Sequence, residues 1–387
     1  MPSIILSGTH LPIASSSAGP SFAGMKTVPA SSLGGSASLL ELLDIQWPII
    51  QAPMAGTGTP ALAAAVSNAG GLGSLGVGAT NAEGARKMIA EFRALSARPL
   101  NVNVFCHQPA KLDPKVESAW IERLRPEFAR FGATPPTHLT EIYSSFVEDD
   151  DMLATLLQER PKVVSFHFGV PAPERVRALR DAGIILLASA TNPQEAQAVA
   201  DAGIHAVVAQ GYEAGGHRGV FNPEKPDSHL GTIALIRLLL QQLDIPVIAA
   251  GGIMDGAGIA AVLHLGASAA QLGTAFVASP ESAADQGYRA ALASEAAHHT
   301  VMTAGISGRP ARCLSNRFTA LVADVSAREI PTYPVAYDVG KALNAAAKTK
   351  GEPGYGAQWA GQGAPLARAL PAAELIGTLV GEMQTAS

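Results

Sequence analysis

The chain has 387 residues, of which 48% are hydrophobic and 15% charged, and its formal net charge is −5. This composition excludes a disordered chain, and the scattered Lys and Arg residues give no basic surface for nucleic acid. No apolar run approaches 18 residues, which excludes a membrane-spanning helix.

The first 38 residues are rich in Ser, Gly, Ala and Pro, and Lys26 is their only Lys or Arg. Secretory and mitochondrial signals carry more positive charge, so we predict a flexible N-terminal tail over 1–38, with Met25 as an alternative start. The two cysteines, Cys106 and Cys313, indicate a reducing, cytoplasmic compartment. Neither has the spacing of a metal ligand, so no metal site is predicted.

After residue 38, a short apolar run, a Gly-rich turn and a longer amphipathic stretch alternate along the chain. The apolar runs are nearly continuous, which is typical of parallel strands buried on both faces. Thr59 before Pro60, and Asn192 before Pro193, mark the starts of two intervening helices. The predicted strands are Pro48–Pro53, Gly71–Leu75, Leu100–Phe105, Val163–Phe168, Ile184–Ser189, Ala206–Gln210, Pro246–Ala250 and Ala269–Gly273.

Eight strands alternating with helices predict an α/β fold of the (β/α)8 TIM-barrel type. The alternative, a doubly wound open sheet, would place GxGxxG after its first strand, whereas residues 52–56 read Ala-Pro-Met-Ala-Gly. We predict a barrel over 39–280 and 336–387. A smaller substrate or lid domain is predicted as an insertion over 281–335, after the eighth strand. The connection 106–160 is also unusually long, and both segments leave the face on which barrels carry their sites.

Glycine-rich turns follow the last two predicted strands, where barrels commonly bind a phosphate through backbone N–H groups. Gly251 and Gly252 follow the seventh strand, and Gly273 follows the eighth. Thr274 adds a hydroxyl donor beside them. A phosphate site is predicted here, and tight turns without a ligand are the alternative.

Polar side chains near the ends of two other strands suggest contacts to a planar ring. Gln210 ends the sixth strand before Gly215 and Gly216, and its amide offers both a donor and an acceptor. Asn103 lies in the apolar third strand and must find partners. The alternative for Asn103 is a hydrogen bond to a neighbouring strand inside the barrel. For His217, ligand contact and a structural role are equally supported.

His167 is the predicted catalytic group because it ends the fourth strand and titrates near neutral pH. A buried structural histidine is the alternative. Tyr333, Tyr337 and Lys341 recur at intervals of four, which on a helix would form one stripe. That stripe could line an anion site or be an ordinary amphipathic face.

Together these motifs resemble the nitronate monooxygenase family, formerly called 2-nitropropane dioxygenases, and most closely its class I members. The likeness runs from about Gln51 to Leu379 and depends on the order of the motifs. They are Gln51–Gly56, Val164–Gly169, Ala209–His217, Ala249–Ile253, Gln271–Thr274 and Trp359–Gly363. The N-terminal tail is a departure from the family pattern, and it puts the true start of the chain in doubt.

The resemblance implies non-covalently bound FMN in the barrel, with His167 in the position of the family's catalytic histidine. Tyr143, Tyr333, Tyr337 and Lys341 take the positions of its substrate-side residues. The cofactor contacts expected from the resemblance and the glycine turns are Met54, Asn103, Gln210, Gly215, Gly216, Gly251, Gly252, Gln271, Leu272, Gly273 and Thr274.

The resemblance further implies oxidation of alkyl nitronates, such as propionate 3-nitronate, by O₂ to a carbonyl compound and nitrite. The expected partners are a small nitronate or nitroalkane and O₂, without nucleic acid or membrane, and a homodimer is left open. A related FMN barrel that oxidises NAD(P)H, of the enoyl-acyl-carrier-protein reductase or quinone reductase type, is the alternative. A barrel that binds a phosphorylated ligand without redox chemistry is the third.

Overall fold

The computed structural model describes residues 34–386. Most of the predicted N-terminal tail, 1–33, lies outside the described residues, and its last five residues, 34–38, belong to a helix that continues to Leu43. None of the described helices is long and apolar enough to cross a membrane.

Strands and helices alternate over most of the chain. The strands are β1 Ile49–Gln51, β2 Gly73–Gly76, β3 Leu100–Phe105, β4 Val163–His167, β5 Ile185–Ala190, β6 Ala206–Gln210, β7 Gly216–His217, β8 Val247–Ala250, β9 Ala269–Leu272, β10 Thr300–Thr303 and β11 Ala311–Leu314. The helices are α1 Gly34–Leu43, α2 Pro60–Asn68, α3 Ala82–Leu95, α4 Pro114–Arg130, α5 Asp150–Glu159, α6 Pro173–Asp181, α7 Pro193–Asp201, α8 Thr232–Gln242, α9 Gly256–His264, α10 Thr274–Val277, α11 Gln286–Leu292, α12 Arg317–Leu321, α13 Val335–Lys348 and α14 Ala372–Ala386.

The eight predicted strands form one parallel sheet in the order β1-β9-β8-β6-β5-β4-β3-β2. A parallel bridge between Ile50 and Leu72 joins the first strand of this order to the last, which closes the barrel. The predicted (β/α)8 fold is therefore confirmed. Both predicted helix starts are confirmed as well, because the side chains of Thr59 and Asn192 cap α2 and α7.

The barrel interior has an apolar lower half and a polar upper half. Side chains alternate between the outer helices and the interior along each strand, so in β5 Leu187 and Ser189 both point inward. Leu187 belongs to an apolar cluster with inward residues of other strands and with Leu39 and Leu43 of α1. Helix α1 therefore closes the amino-terminal end of the barrel. The polar residues lie at the opposite end.

A second apolar core lies above the carboxyl ends of the strands, and we call it the cap. It is formed by α4, α12 and α13 together with strand β11. Its sheet has the order β10-β11-β7, in which β7 comes from the loop after β6. The long connection 106–160 contributes one helix to the cap and one to the barrel. Helix α4 packs on α13 in the cap, whereas α5 packs on α3 and α6 of the barrel. The final helix, α14, packs on α9 and α2.

Helix α2 approaches strand β2 so closely that only glycine fits at position 73. A Cβ on Gly73 would lie 2.0 Å from the backbone oxygen of Ala63. We expect Gly73→Ala to lower the free energy of unfolding by about 2 kcal/mol or more, since overpacking forces the backbone apart. Urea denaturation measures this. Gly377→Ala is the control, because its Cβ would enter open space on α14 and should be neutral or stabilising. A fully stable Gly73→Ala protein would contradict this packing.

Candidate active site

A cavity of about 570 Å³ opens at the carboxyl ends of the barrel strands. Every barrel strand contributes a lining residue within one position of its last residue, and the cap supplies the facing wall. The structure thus brings nearly all the predicted site residues together. Those lining the cavity are Met54, Asn103, Tyr143, His167, Gln210, Gly215, Gly216, Gly251, Gly252, Gln271, Gly273, Thr274, Tyr333, Tyr337 and Lys341.

Leu272 is the one predicted site residue outside this lining. Its side chain is 1% exposed and packs in the core between the sheet and the outer helices. The reason is the two-residue period of a strand, which turns Gln271 toward the cavity and Leu272 away from it. The backbone oxygen of Leu272 is also occupied, because it accepts a hydrogen bond from Ala52 N.

Both ring nitrogens of His167 have partners inside the protein. Nδ1 lies 2.9 Å from Ser189 Oγ, and Nε2 lies 3.1 Å from the backbone oxygen of His217. Burial, with a smaller effect from the positive charges of Arg309 and Arg218, lowers the pKa of His167 to about 4. The imidazole is therefore neutral near pH 7, the state that a general base requires.

The two amide side chains of the site also bond to the protein. Asn103 Nδ2 donates to the backbone oxygen and to Oγ of Ser165, at 3.1 and 3.0 Å, so the barrel-interior hydrogen bond considered for Asn103 is present. Gln210 Nε2 donates to the His217 oxygen at 2.9 Å, and its Oε1 accepts from Gly219 N at 2.7 Å. Each amide retains hydrogen-bonding capacity beyond these bonds and borders the cavity.

The glycine turns differ in whether the backbone conformation itself requires glycine. Gly251 and Gly252 have φ of 118° and 73°, in the region where residues with a Cβ are strained. Gly273 differs, because its φ is −109° and an added Cβ would make only ordinary contacts, with Ala52 at 3.4 Å and with Met54 Sδ at 3.9 Å.

The tail motif 359–363 closes over the glycine turns. Gly361 N donates to Thr274 Oγ1 at 3.0 Å, which leaves the hydroxyl hydrogen of Thr274 free to donate elsewhere. A Cβ on Gly215 would lie 2.4 Å from Gly361 N, so this close approach needs glycine at 215.

The wall opposite the glycine turns carries tyrosines and a lysine. Lys341 Nζ donates to Tyr143 Oη at 2.7 Å and lies over the Tyr143 and Tyr337 rings. The predicted helical stripe is only partly right, because α13 begins at Val335 and Tyr333 precedes it. Pro334 disfavours the helical conformation for the residue before it, so Tyr333 reaches the cavity from a turn.

The electrostatic character of the lining favours an anion. Within the described chain, the cavity lining contains no Asp or Glu, and Lys341 is its one Lys or Arg. No group of three or more His, Cys, Asp or Glu residues among the described residues is placed to hold a metal ion. A cavity at this end of a barrel, with an ammonium group and no carboxylate in its described lining, suits a phosphorylated cofactor and an anionic substrate.

A family model described as nitronate monooxygenase matches residues 36–382. The chain belongs to the nitronate monooxygenase family. A nitronate monooxygenase of Paraburkholderia phytofirmans is 63% identical over 90% of this chain and 96% of its own length. One of Pseudomonas aeruginosa is 57% identical over 89% of this chain and 98% of its own length.

Two solved structures superpose on most of the chain. The nitroalkane oxidase of Streptomyces ansochromogenes superposes with a TM-score of 0.82 at 42% identity, covering 90% of this chain and 99% of that one. FabK from Thermotoga maritima superposes with a TM-score of 0.69 at 30% identity, covering 90% of this chain and 96% of that one.

Several polar residues at or near the site of this nitronate monooxygenase family member were not predicted from the sequence. Ser165 and Ser189 line the cavity, and each is a polar residue within an apolar strand, the same signal that identified Asn103. Arg309 and His107 gave no such signal. Arg309 is 3% exposed and lies 4.2 Å above the Phe168 ring, and His107 is 1% exposed without a hydrogen-bond partner for either ring nitrogen.

Three histidines, of which His107 is buried and His167 and His217 are half-buried, make the stability of the protein sensitive to acid. Burial lowers the pKa values of His107 and His167 to about 4 and that of His217 to about 3. An unfolded histidine protonates near pH 6.5, so between about pH 6.5 and 4 the unfolded chain binds more protons than the folded one. Stability is therefore lost as the pH falls through this window.

We expect His107→Phe to reduce this loss, because Phe keeps the ring contacts with Tyr333 and Phe168 without a titrating nitrogen. The decrease in unfolding free energy between pH 7 and 4.5, measured by urea denaturation, should shrink by about 2 kcal/mol. The exposed His299→Phe is the control and should leave the decrease unchanged. An equal pH dependence in His107→Phe and wild type would contradict the assignment.

Proposed function

We propose that this protein oxidises alkyl nitronates, such as propionate 3-nitronate, with O₂ to a carbonyl compound and nitrite, using non-covalently bound FMN. The observation that carries the proposal is the convergence on one cavity of His167, the glycine turns after β8 and β9, and the Tyr–Lys wall of the cap. The family membership and the likeness to a nitroalkane oxidase support the same chemistry.

The residues present fit an FMN phosphate and ring. A Cβ on residue 273 would occupy space that glycine leaves open, and we call this space the cradle. Backbone N–H groups of the Gly251–Gly252 turn, with the free hydroxyl hydrogen of Thr274, would bind the phosphate. Asn103 and Gln210 would use their remaining hydrogen-bonding capacity on the ring, together with Gln271 and Met54. Bound FMN supplies the one-electron redox chemistry between the nitronate and O₂.

His167 would act as the base toward neutral nitroalkanes. Its imidazole is neutral, lies at the end of β4, and is fixed by two hydrogen bonds. A nitronate is already an anion, so it needs no proton removal, and His167 would then orient it or balance its charge. Lys341 would attract the nitronate anion, because its ammonium group is the one Lys or Arg cation of the described cavity lining.

The substrate side of the cavity belongs to the cap. We propose that the substrate unit, predicted over 281–335, also includes α4 and α13, since these helices share the cap core. Tyr143, Tyr333, Tyr337 and Lys341 would then meet the substrate from this unit while the barrel holds the cofactor. A cytoplasmic enzyme acting on small molecules fits the two buried cysteines, which are both free thiols.

An FMN barrel that oxidises NAD(P)H is the second candidate, and the likeness to FabK supports it only weakly, since its TM-score and identity are lower than those of the nitroalkane oxidase. The purified protein should be yellow, and it should convert ethylnitronate and propionate 3-nitronate aerobically to nitrite. Rapid bleaching of the yellow colour by NADPH without O₂, together with no nitrite from either nitronate, would favour the reductase. A colourless protein that does not take up FMN would remove both candidates.

Gly273→Ala tests the cradle. We expect this variant to fold normally, because its Cβ meets only ordinary contacts, and to bind FMN at least about tenfold more weakly, because the methyl group occupies cofactor space. Titration of the apoprotein with FMN, followed by flavin fluorescence, measures the affinity. Gly377→Ala, on the exposed face of α14, should bind FMN as wild type does. Unchanged affinity in Gly273→Ala would place the flavin elsewhere.

His167→Asn tests the base. We expect normal FMN binding, a loss of about 10²–10⁴ in kcat/KM for nitroethane, and ethylnitronate oxidation within about tenfold of wild type. The reason is that only the neutral nitroalkane must lose an α-proton. Steady-state rates of O₂ consumption with both substrates measure the effect. Equal losses on both substrates would refute the role of His167 as a base.

A further inference from the structure

Hydrogen bonding fixes the tautomer of His167. A carbonyl oxygen can only accept a hydrogen bond, so the 3.1 Å contact with the His217 oxygen requires the proton on Nε2. A neutral imidazole carries one N–H, which leaves Nδ1 as the acceptor. Ser189 Oγ, 2.9 Å away, must then donate its hydroxyl hydrogen to Nδ1.

The basic nitrogen of His167 is therefore covered by the Ser189 hydroxyl. Gly219 packs against the same edge of the ring, since a Cβ there would lie 2.9 Å from Cε1 and 3.4 Å from Nδ1. Ser189 lines the cavity and is 8% exposed. A substrate proton that reaches the lone pair of Nδ1 in this arrangement must either displace the Ser189 hydroxyl or pass through it.

We propose that Ser189 is a proton-relay residue, through which His167 removes the α-proton of neutral nitroalkanes; this rests on the proposed function. In the step, the Cα–H bond of the nitroalkane breaks and its electron pair moves into the nitro group. Ser189 Oγ takes that proton while its own hydroxyl proton passes to Nδ1. The products are a nitronate, a restored Ser189 hydroxyl and the imidazolium of His167.

The surroundings can hold this imidazolium for the duration of the step. Nε2–H keeps its bond to the His217 oxygen, and the Ser189 hydroxyl can rotate to accept from Nδ1–H. The nitronate formed beside the ring is an anion, which favours the charged imidazole and opposes the effect of the positive charges of Arg309 and Arg218. The proton returns to solvent after the nitronate has been consumed. An already ionised nitronate bypasses the relay.

Two variants of the FMN-loaded enzyme test the relay. Ser189→Ala should lower kcat/KM for nitroethane about 10²-fold and that for ethylnitronate less than about threefold. Ser189→Thr keeps the hydroxyl and should restore nitroethane oxidation to within about tenfold of wild type. Equal losses on both substrates in Ser189→Ala, or no loss on either, would overturn the relay. The proposed function would still stand in that case, provided that the wild-type protein oxidises the nitronate. Wild-type protein that oxidises neither substrate would end both proposals.

The tautomer of His167 can also be measured in wild-type protein, so this test does not depend on the folding of Ser189→Ala. The ¹⁵N NMR signals of His167 in histidine-labelled holoenzyme can be identified by their loss in His167→Asn. They should show a protonated Nε2 and an unprotonated Nδ1. A proton on Nδ1 would overturn the relay directly. In folded variants, Ser189→Ala should shift the Nδ1 signal. Ser165→Ala is the control, because Ser165 also lines the cavity but is hydrogen-bonded to Asn103, and it should leave the Nδ1 signal unchanged.

Discussion

The backbone oxygen of His217 is the acceptor on which the site depends. It receives hydrogen bonds from His167 Nε2 at 3.1 Å and from Gln210 Nε2 at 2.9 Å, which ties the ends of β4 and β6 to one atom. His217 also pairs with Ala311 in the cap sheet. His217 thus couples the barrel to the cap, and its carbonyl sets the tautomer of the proposed base.

The same region holds a strained backbone. Phe168, directly after His167, has a φ of 74°, a conformation that costs a side-chain-bearing residue on the order of 1–3 kcal/mol. Its ring is enclosed by Phe105, Tyr333 and the buried guanidinium of Arg309, 4.2 Å from the ring centre. This packing stabilises the turn that directs the imidazole of His167 into the cavity.

The barrel could be predicted from the sequence because its strands are buried on both faces, and such strands are nearly continuous apolar runs between turn residues. The observed strands fall within the predicted runs to within a few residues, from Ile49–Gln51 to Ala269–Leu272. The cap was harder to predict. Its core joins α4 to α13, two segments more than 180 residues apart that no local pattern relates. The spacing of Tyr333, Tyr337 and Lys341 would give one stripe on a helix, but the helix begins only at Val335, after Pro334.

The sequence by itself determined the barrel and the residues at the strand ends, because strand period and glycine turns are local properties of the chain. Only the tertiary structure decided which atoms those residues meet. Ser189 and the His217 oxygen reach His167 from other parts of the chain and set its tautomer, while burial by the surrounding segments lowers its pKa. Hydrogen bonding and burial are consequences of packing between distant segments, so no reading of neighbouring residues could supply them.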